Sequence, residues 1–289
     1  MDMQELIRPP SQTWLYTKGA PDLLRRYPDP LKHGLPDLKA RANDVAFDAE
    51  ALAEFNRVCG SNLTSRVPPT YPHVMAFRMQ MLLMTSKDFP LSSAGVLHVT
   101  NTITQRRWID MSERFDLEIR IENLAPHPKG LIFESNKDLI VDGEVVWSES
   151  NTYLRKGTFP GSEEATAEDD TPPTLPQHQA VWDIPSDLGR QYASVSGDYN
   201  PIHVNRPVAR LVGGKKLILQ GLWGIAHSLA MLDPELPTGG MQVDSRFRRP
   251  IPLGIKAGFT ADIGVEETTF AMVRLEDEKP YFTGLVTPL

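Results

Sequence analysis

The chain has 289 residues, of which 40% are hydrophobic and 23% are charged, a composition typical of a globular protein with room for a sizeable core. Its formal net charge of −7 at pH 7 argues against a nucleic-acid-binding protein, which is usually basic. The single cysteine, Cys59, excludes an internal disulfide framework and favours a reducing compartment.

The N-terminal segment has no feature of a targeting sequence. Residues 1–19 lack the apolar stretch of a signal peptide, and Asp2 and Glu5 introduce acidic groups that transit peptides avoid. No apolar run approaches the roughly 18 residues that a membrane-spanning helix needs. We therefore expect a soluble, cytoplasmic protein. Residues 1–44 match no pattern that we can place, and we interpret them only as an N-terminal extension.

The first half of the chain is predicted to contain a buried helix followed by antiparallel strands. Residues 69–86 are apolar on nearly every side, which is typical of a helix in the middle of a domain. In residues 115–123, apolar and charged side chains alternate with a period of two, as in a sheet with one solvated face. Asp142-Gly143 then separates two strand-like runs and is a strong hairpin signal. These elements predict a first α+β unit in residues 45–156.

A linker is predicted to separate this unit from a second one with the same order of elements. Residues 157–179 are rich in acidic residues and proline and contain almost nothing to bury, so burial cannot offset the entropy of ordering them. After them, residues 221–232 are largely apolar and predict a second buried helix, which four strand-like runs follow. We therefore predict a second α+β unit in residues 180–289, which repeats the pattern of the first without a detectable repeat of sequence.

One short stretch is the strongest candidate for a functional site. In VSGDYNPIH, residues 195–203, an aspartate and a histidine stand five residues apart among two turn-forming pairs, Gly-Asp and Asn-Pro. Taken alone, the stretch is an ordinary surface loop, because such turns are usually structural. The alternative is that the turns hold Asp198 and His203 where both side chains reach one small molecule.

The wider sequence around this stretch resembles a known family. YASVSGDYNPIH, residues 192–203, resembles the signature of the MaoC-like, (R)-specific enoyl-CoA hydratase family, also called hydratase 2. QGLWG and RFRRPIPLG are similar to the start of that family's central helix and to one of its strands. RVCG, PPTYPHVMAF and GVLHVTNTI are similar to the motif-less N-terminal unit of its double hot-dog members. Over residues 45–289, the resemblance implies a double hot-dog fold of class α+β, in which each of two tandem units wraps an antiparallel sheet around a central helix.

The resemblance also implies a reaction and a set of site residues. The reaction is the reversible hydration of trans-2-enoyl thioesters and dehydration of (R)-3-hydroxyacyl thioesters, with Asp198 and His203 as the catalytic pair that activates one water. Gly221 and Asn200 are the predicted oxyanion and substrate-binding residues. Gly221 opens the second central helix, where a free N–H and the helix dipole favour a negative oxygen. Gln220 replaces the histidine that is usual in the family, and its contribution is left open.

Two basic clusters near the motif are candidates for contact with the phosphates of coenzyme A or of the pantetheine arm of an acyl carrier protein. The alternative, that they are solvated surface charge, remains open. The clusters consist of Lys215, Lys216, Arg246, Arg248 and Arg249. We expect no cofactor and no metal. The expected partner is an acyl-CoA or acyl carrier protein thioester, with no nucleic acid and no membrane, and the chain is expected to be a monomer or a homodimer.

Two other functions remain open from the sequence. Hot-dog thioesterases share the fold and commonly place a catalytic carboxylate on the central helix, but residues 72–86 and 221–232 contain no Asp or Glu. A non-catalytic acyl-thioester-binding protein would not need an Asp-His pair. His98 and His227 lie in apolar contexts, and we interpret them as core or pocket-lining residues.

Overall fold

Two compact units make up the described part of the chain. The computed structural model describes residues 4–6, 34–93, 95–166, 171, 173–211 and 216–289. The first unit takes its described residues from Met1–Ala46, Met75–Asn101 and Glu113–Thr171, and the second from Phe47–Val74, Thr102–Ser112 and Pro172–Leu289. Each unit combines antiparallel strands with helical segments, so the predicted α+β class is confirmed. Lys215 and parts of the predicted extension and linker lie outside the described residues.

In each half the predicted buried helix is followed by antiparallel strands, and the structure adds strands and helices before it. The helices are α1 (Ala49–Cys59), α2 (Tyr71–Met84), α3 (Leu188–Ser196), α4 (Pro201–Val204), α5 (Arg206–Leu211) and α6 (Gly221–Met231). The strands of the first half are β1 (Gln4–Leu6), β2 (Leu38–Ala46), β3 (Val96–Gln105), β4 (Arg114–His127), β5 (Gly130–Val141) and β6 (Glu144–Lys156). Those of the second half are β7 (Ala180–Ile184), β8 (Ile218–Leu219), β9 (Met241–Phe247), β10 (Ile251–Pro252), β11 (Ile255–Ile263), β12 (Thr268–Val273) and β13 (Pro280–Pro288). In the part of the chain that the structure describes, no helix has the length and hydropathy needed to cross a membrane.

The first unit has the strand order β1-β2-β4-β5-β6-β3, with the last part of β3, from Thr102, counted in the second unit. The predicted alternation in β4 is confirmed, because its apolar side chains at 115, 117, 119 and 121 are buried while the charged ones between them stay partly exposed. The predicted hairpin is also confirmed. Asp142 and Gly143 have φ of 51° and 85°, and these left-handed conformations match the twist of the strands they join.

A buried polar cluster lies inside the first unit and consists of Lys137, Glu149, Asn101 and Asn151. Nζ of Lys137 lies 2.6 Å from Oε2 of Glu149, and both side chains are fully buried. Nδ2 of Asn101 donates to Oε1 of Glu149 at 2.5 Å and to Oδ1 of Asn151 at 2.9 Å. Burial lowers the pKa of Lys137, although the neighbouring Glu149 carboxylate opposes this shift. The two charges are therefore tolerable inside the unit only because each is paired with the other.

The second unit has the strand order β9-β13-β12-β11-β7, and α6 is its buried helix. Two glycines let this helix approach the sheet closely. A Cβ atom at Gly221 would lie 2.5 Å from the ring of Phe247 in β9, and one at Gly224 would lie 2.4 Å from the ring of Phe282 in β13. Both distances are far shorter than a carbon–carbon contact. Larger residues at these positions would therefore push α6 away from the sheet.

Helix α6 is also bonded to the end of α1 within the second unit. Nε1 of Trp223 donates to the carbonyl of Val58 at 2.9 Å, and Nδ1 of His227 lies 2.8 Å from the carbonyl of Cys59. The ring of His227 stacks on that of Trp223, with centroids 4.7 Å apart. Burial lowers the pKa of His227, so the neutral ring, with its proton on Nδ1, is the form that suits this place. His227 is thus a packing residue.

Candidate active site

The motif lies where α3 ends and α4 begins. Gly197 ends α3 with φ of 78°, a left-handed conformation that glycine adopts readily. Asn200 caps α4, because its Oδ1 accepts the N–H two residues further on at 3.3 Å, and Pro201 occupies the first helical position. The two turn-forming pairs therefore mark a helix end and a helix start. Asp198 lies in the intervening loop, and His203 lies on α4.

The structure brings Asp198 and His203 together. Nε2 of His203 lies 3.5 Å from Oδ2 of Asp198. The other carboxylate oxygen, Oδ1, accepts the N–H of Asn200 at 3.1 Å, so the main chain fixes the orientation of the carboxylate. The side chain of His203 is 9% exposed and that of Asp198 is 25% exposed. The pair is therefore largely enclosed, and solvent reaches it mainly on the aspartate side.

A main-chain carbonyl selects the tautomer of His203. Nδ1 of the ring lies 2.7 Å from the carbonyl oxygen of Ile218. A carbonyl can only accept, so Nδ1 carries the proton, and Nε2 of the neutral ring presents a lone pair to Asp198. Nε2 and Oδ2 are then both acceptors, and a water molecule that donates one hydrogen to each would satisfy both. This arrangement is suited to taking a proton from water.

The segment from Ile218 to Gly221, which we call the connector, contacts both members of the pair. Its strand β8 pairs with β10, and its carbonyl at Ile218 orients His203. Nε2 of Gln220 donates to the carbonyl of Gly189 at 3.1 Å and to the carbonyl of Asp198 at 3.0 Å. Ile218 could not be predicted from the sequence, because a backbone carbonyl has no residue-type signature. Gln220 differed from the family pattern, and no role was predicted for it.

Gly221 and Asn200, the predicted oxyanion and substrate-binding residues, have different surroundings. Gly221 is the first residue of α6, and N–H groups in the first turn of a helix have no acceptor within that helix. The ring of Phe247 occupies the space beside its Cα. Asn200 uses Oδ1 to cap α4 and its N–H to hold Asp198. Both contacts therefore fix the loop between α3 and α4.

The described residues of the basic clusters lie before β8 and around the end of β9. Lys216 is exposed and precedes the connector. Arg246 is next to Phe247 in β9, and because side chains alternate along a strand, it points to the opposite face from the ring that contacts α6. Arg248 donates Nε to a threonine hydroxyl of β13 at 3.3 Å, and Arg249 donates Nη1 to a carbonyl of β13 at 2.7 Å. The two arginines after β9 are therefore bound to the neighbouring strand.

The chain is similar to known proteins in sequence and in structure. The family model described as MaoC like domain matches residues 166–284. The 3-hydroxyacyl-thioester dehydratase X of Mycobacterium tuberculosis is 30% identical over 255 residues, which are 88% of this chain and 91% of that protein. The crystal structure of HtdX from the same organism matches with a TM-score of 0.76 and 30% identity, over 86% of this chain and 99% of that one.

A more distant structure shares the fold. The MaoC-like dehydratase from Phytophthora capsici has a TM-score of 0.68 and 18% identity, over 88% of this chain and 96% of that one. At that identity the likeness concerns the fold, which agrees with the two units described above. The sequence relationship to the mycobacterial dehydratase is closer and covers most of both chains. The chain belongs to the MaoC-like dehydratase family and has a double hot-dog fold.

Proposed function

We propose that the protein catalyses the reversible hydration of trans-2-enoyl thioesters and the dehydration of (R)-3-hydroxyacyl thioesters. The observation that carries the proposal is the pairing of Asp198 with His203. Their facing atoms lie 3.5 Å apart, and the carbonyl of Ile218 turns the lone pair of the imidazole toward the carboxylate. The name of the mycobacterial relative, 3-hydroxyacyl-thioester dehydratase, describes the same chemistry in one direction.

The pair would act on a single water molecule. In hydration, the water oxygen forms a bond to C3 of the enoyl group while one water proton passes to the Asp198–His203 pair. The electron pair of the C2–C3 double bond moves toward the thioester carbonyl, which becomes an enolate. The pair then delivers a proton to C2, and the carbonyl is restored. Water is thus added as H and OH, both from the side of the pair, and dehydration follows the same steps in reverse.

The enolate oxygen needs its own stabilisation, and we assign it to the N–H of Gly221. This N–H opens α6, where the helix dipole is positive and first-turn donors lack helical acceptors. Losing one such donor typically costs about 3 kcal/mol of transition-state stabilisation. Asn200 would support the reaction through its contacts with Asp198 and α4.

A thioesterase is less well supported than a hydratase. The usual carboxylate of hot-dog thioesterases stands on a central helix, and neither α2 nor α6 contains an Asp or Glu. A non-catalytic thioester-binding protein would have no need for an imidazole oriented by the main chain toward a carboxylate. The thioesterase predicts release of free thiol from the same substrate, and the binding protein predicts no reaction.

The carrier of the acyl group is proposed to be coenzyme A or an acyl carrier protein. Lys216 and the three arginines after and within β9 are the candidate phosphate contacts among the described residues, since guanidinium and ammonium groups bind phosphate well. Comparing one enoyl chain on both carriers, with Arg249→Ala as the variant, tests this assignment. A role in phosphate binding predicts a higher KM for the preferred carrier and an unchanged kcat.

The reaction is tested by mixing the protein with a trans-2-enoyl-CoA and following two signals. Loss of the conjugated enoyl absorbance without release of free thiol supports the hydratase. Release of free coenzyme A supports the thioesterase, and no change in either signal supports a binding protein. The stereochemistry of the product, determined by chiral chromatography of the 3-hydroxyacyl group, then tests the (R) assignment.

A further inference from the structure

We infer that Gln220 is a positioning residue for this reaction. It holds the loop that carries Asp198 at a fixed position relative to the start of α6. The inference rests on the proposed function, and it concerns a side chain that resemblance to the family left open. Gln220 is assigned no contact with the attacking water or the reacting atoms. It acts through the main chain of Asp198.

The Gln220 amide donates one hydrogen bond to this loop and one to α3, the helix that precedes it. Nε2 lies 3.0 Å from the carbonyl oxygen of Asp198 and 3.1 Å from that of Gly189 in the first turn of α3. Both partners are acceptors, so the NH₂ group must face them, and both of its hydrogens are used. The side chain of Gln220 therefore connects both α3 and the loop that follows it to the connector.

The surroundings of Oε1 indicate that the NH₂ group, and not the oxygen, accounts for a glutamine at this position. Gln220 is only 3% exposed, and its Oε1 is buried without a hydrogen-bond partner among the described residues. A buried carbonyl without a partner is unfavourable, so stability alone gives a poor account of a glutamine here. The donor half of the side chain explains its presence, because an apolar residue would leave the carbonyls of Asp198 and Gly189 without these bonds.

Main-chain hydrogen bonds fix the position of the connector. Ile218 and Leu219 pair with β10, and the N–H of Leu253 donates to the carbonyl of Leu217 at 3.0 Å. His203 is oriented by Ile218 from the same segment. Two contacts therefore set the distance between Asp198 and His203. The carbonyl of Ile218 holds His203, and the side chain of Gln220 holds Asp198. Without the second contact, Asp198 can shift while His203 stays in place.

The decisive variant is Gln220→Glu, which keeps the shape and replaces the NH₂ donor by an oxygen. We expect kcat to fall about 10- to 100-fold, as for other small misplacements of reacting groups, while KM changes little. A protonated carboxyl group can donate one hydrogen bond, so activity relative to the wild type at the same pH should rise as the pH is lowered.

A conservative variant and a matched control complete the test. Gln220→His retains one N–H donor and should keep more activity than Gln220→Met, which has none. Gln105→Leu is the control, because Gln105 is also fully buried and both its amide atoms lack partners among the described residues. Its kcat should equal that of the wild type.

The outcomes separate this inference from the proposed function. Wild-type kcat in Gln220→Glu overturns the inference, and so does a lower melting temperature with unchanged kcat per folded molecule. If Gln220→Glu does not fold, equal activities of Gln220→His and Gln220→Met overturn it instead. Failure of the wild-type protein to hydrate the enoyl thioester would count against the proposed function, whereas an active wild type with indifferent variants counts against Gln220 alone.

Discussion

The carbonyl oxygen of Ile218 and Nδ1 of His203 lie 2.7 Å apart, and this contact decides which ring nitrogen faces Asp198. Since Nδ1 donates, Nε2 is left as the acceptor on the aspartate side, 3.5 Å from the carboxylate. Two acceptors at that separation need a shared donor. When the imidazole is neutral it cannot donate to the carboxylate, and a donor such as water would satisfy both acceptors.

Replacing either member of the pair should remove most of the activity. Asp198→Asn keeps an oxygen for the N–H of Asn200 but cannot take a proton, and His203→Gln cannot exchange one. Each should lower kcat for hydration by about 10²- to 10⁴-fold, as expected for the loss of a general acid–base group. The measurement is the rate of loss of enoyl absorbance, with circular dichroism to verify the fold.

Asp183→Asn, an exposed aspartate in β7, is the matched control and should leave the rate unchanged. Turnover within a few-fold of the wild type in Asp198→Asn or His203→Gln would reject the assignment of the pair.

Gly221→Ala should disturb both packing and activity, because the new Cβ would lie 2.5 Å from the ring of Phe247. The double variant Gly221→Ala/Phe247→Leu separates the two effects by removing the ring. We expect it to recover the melting temperature but not the rate, since the Cβ would still stand beside the N–H assigned to the enolate oxygen. Recovery of both would make Gly221 a packing residue only.

Breaking the buried ion pair between Lys137 and Glu149 should destabilise the folded protein. Lys137→Met leaves the Glu149 carboxylate buried without its counter-charge, which should lower the free energy of unfolding by about 3–5 kcal/mol. The double variant Lys137→Met/Glu149→Leu removes both charges and should recover much of that loss. Urea denaturation followed by circular dichroism measures these differences.

The control for this pair is Lys39→Met, whose ion pair with Asp37 is exposed and should matter little. A double variant as unstable as Lys137→Met alone would show that the unpaired charge is not the cause.

His227 should make stability depend on pH. Its pKa is lowered in the folded state by burial, so below its ordinary value of about 6.5 the unfolded chain binds a proton that the folded chain does not. The folded state then loses stability as the pH falls toward the lowered pKa, by at most about 1.4 kcal/mol per pH unit. His227→Gln keeps a donor for the carbonyl of Cys59 and does not titrate. The stability difference between wild type and variant should therefore shrink from pH 7.5 to pH 5.5, and parallel curves would contradict this.

The sequence made some elements predictable because a local signal marked them, which was a continuous apolar run, a period-two alternation or a turn-forming pair. The apolar runs of α2 and α6, the alternation along β4 and the Asp142-Gly143 turn each depend on neighbours in the sequence. Asp198 and His203 were predicted as a catalytic pair because the stretch that carries them resembles a family signature, whereas the spacing alone also fits an ordinary loop.

Other features depend on contacts between distant parts of the chain. The pairing of β8 with β10 involves two residues on each side, too few for a periodic signal. Lys137 lies on the inward face of β5, at a position where alternation alone would expect an apolar residue, and its partner Glu149 lies on another strand. The role of Ile218 comes from its backbone, so no choice of side chain records it.

The carboxamide at position 220 has a consequence for the acidity range in which the protein works. Glutamine does not titrate in water. Its hydrogen bond to the carbonyl of Asp198 should therefore be the same in mild acid and in mild alkali. A histidine in its place would change its protonation state with pH, and its hydrogen bonds would change as well. A fall in turnover at either end of the pH range would therefore not come from a change in the protonation of residue 220.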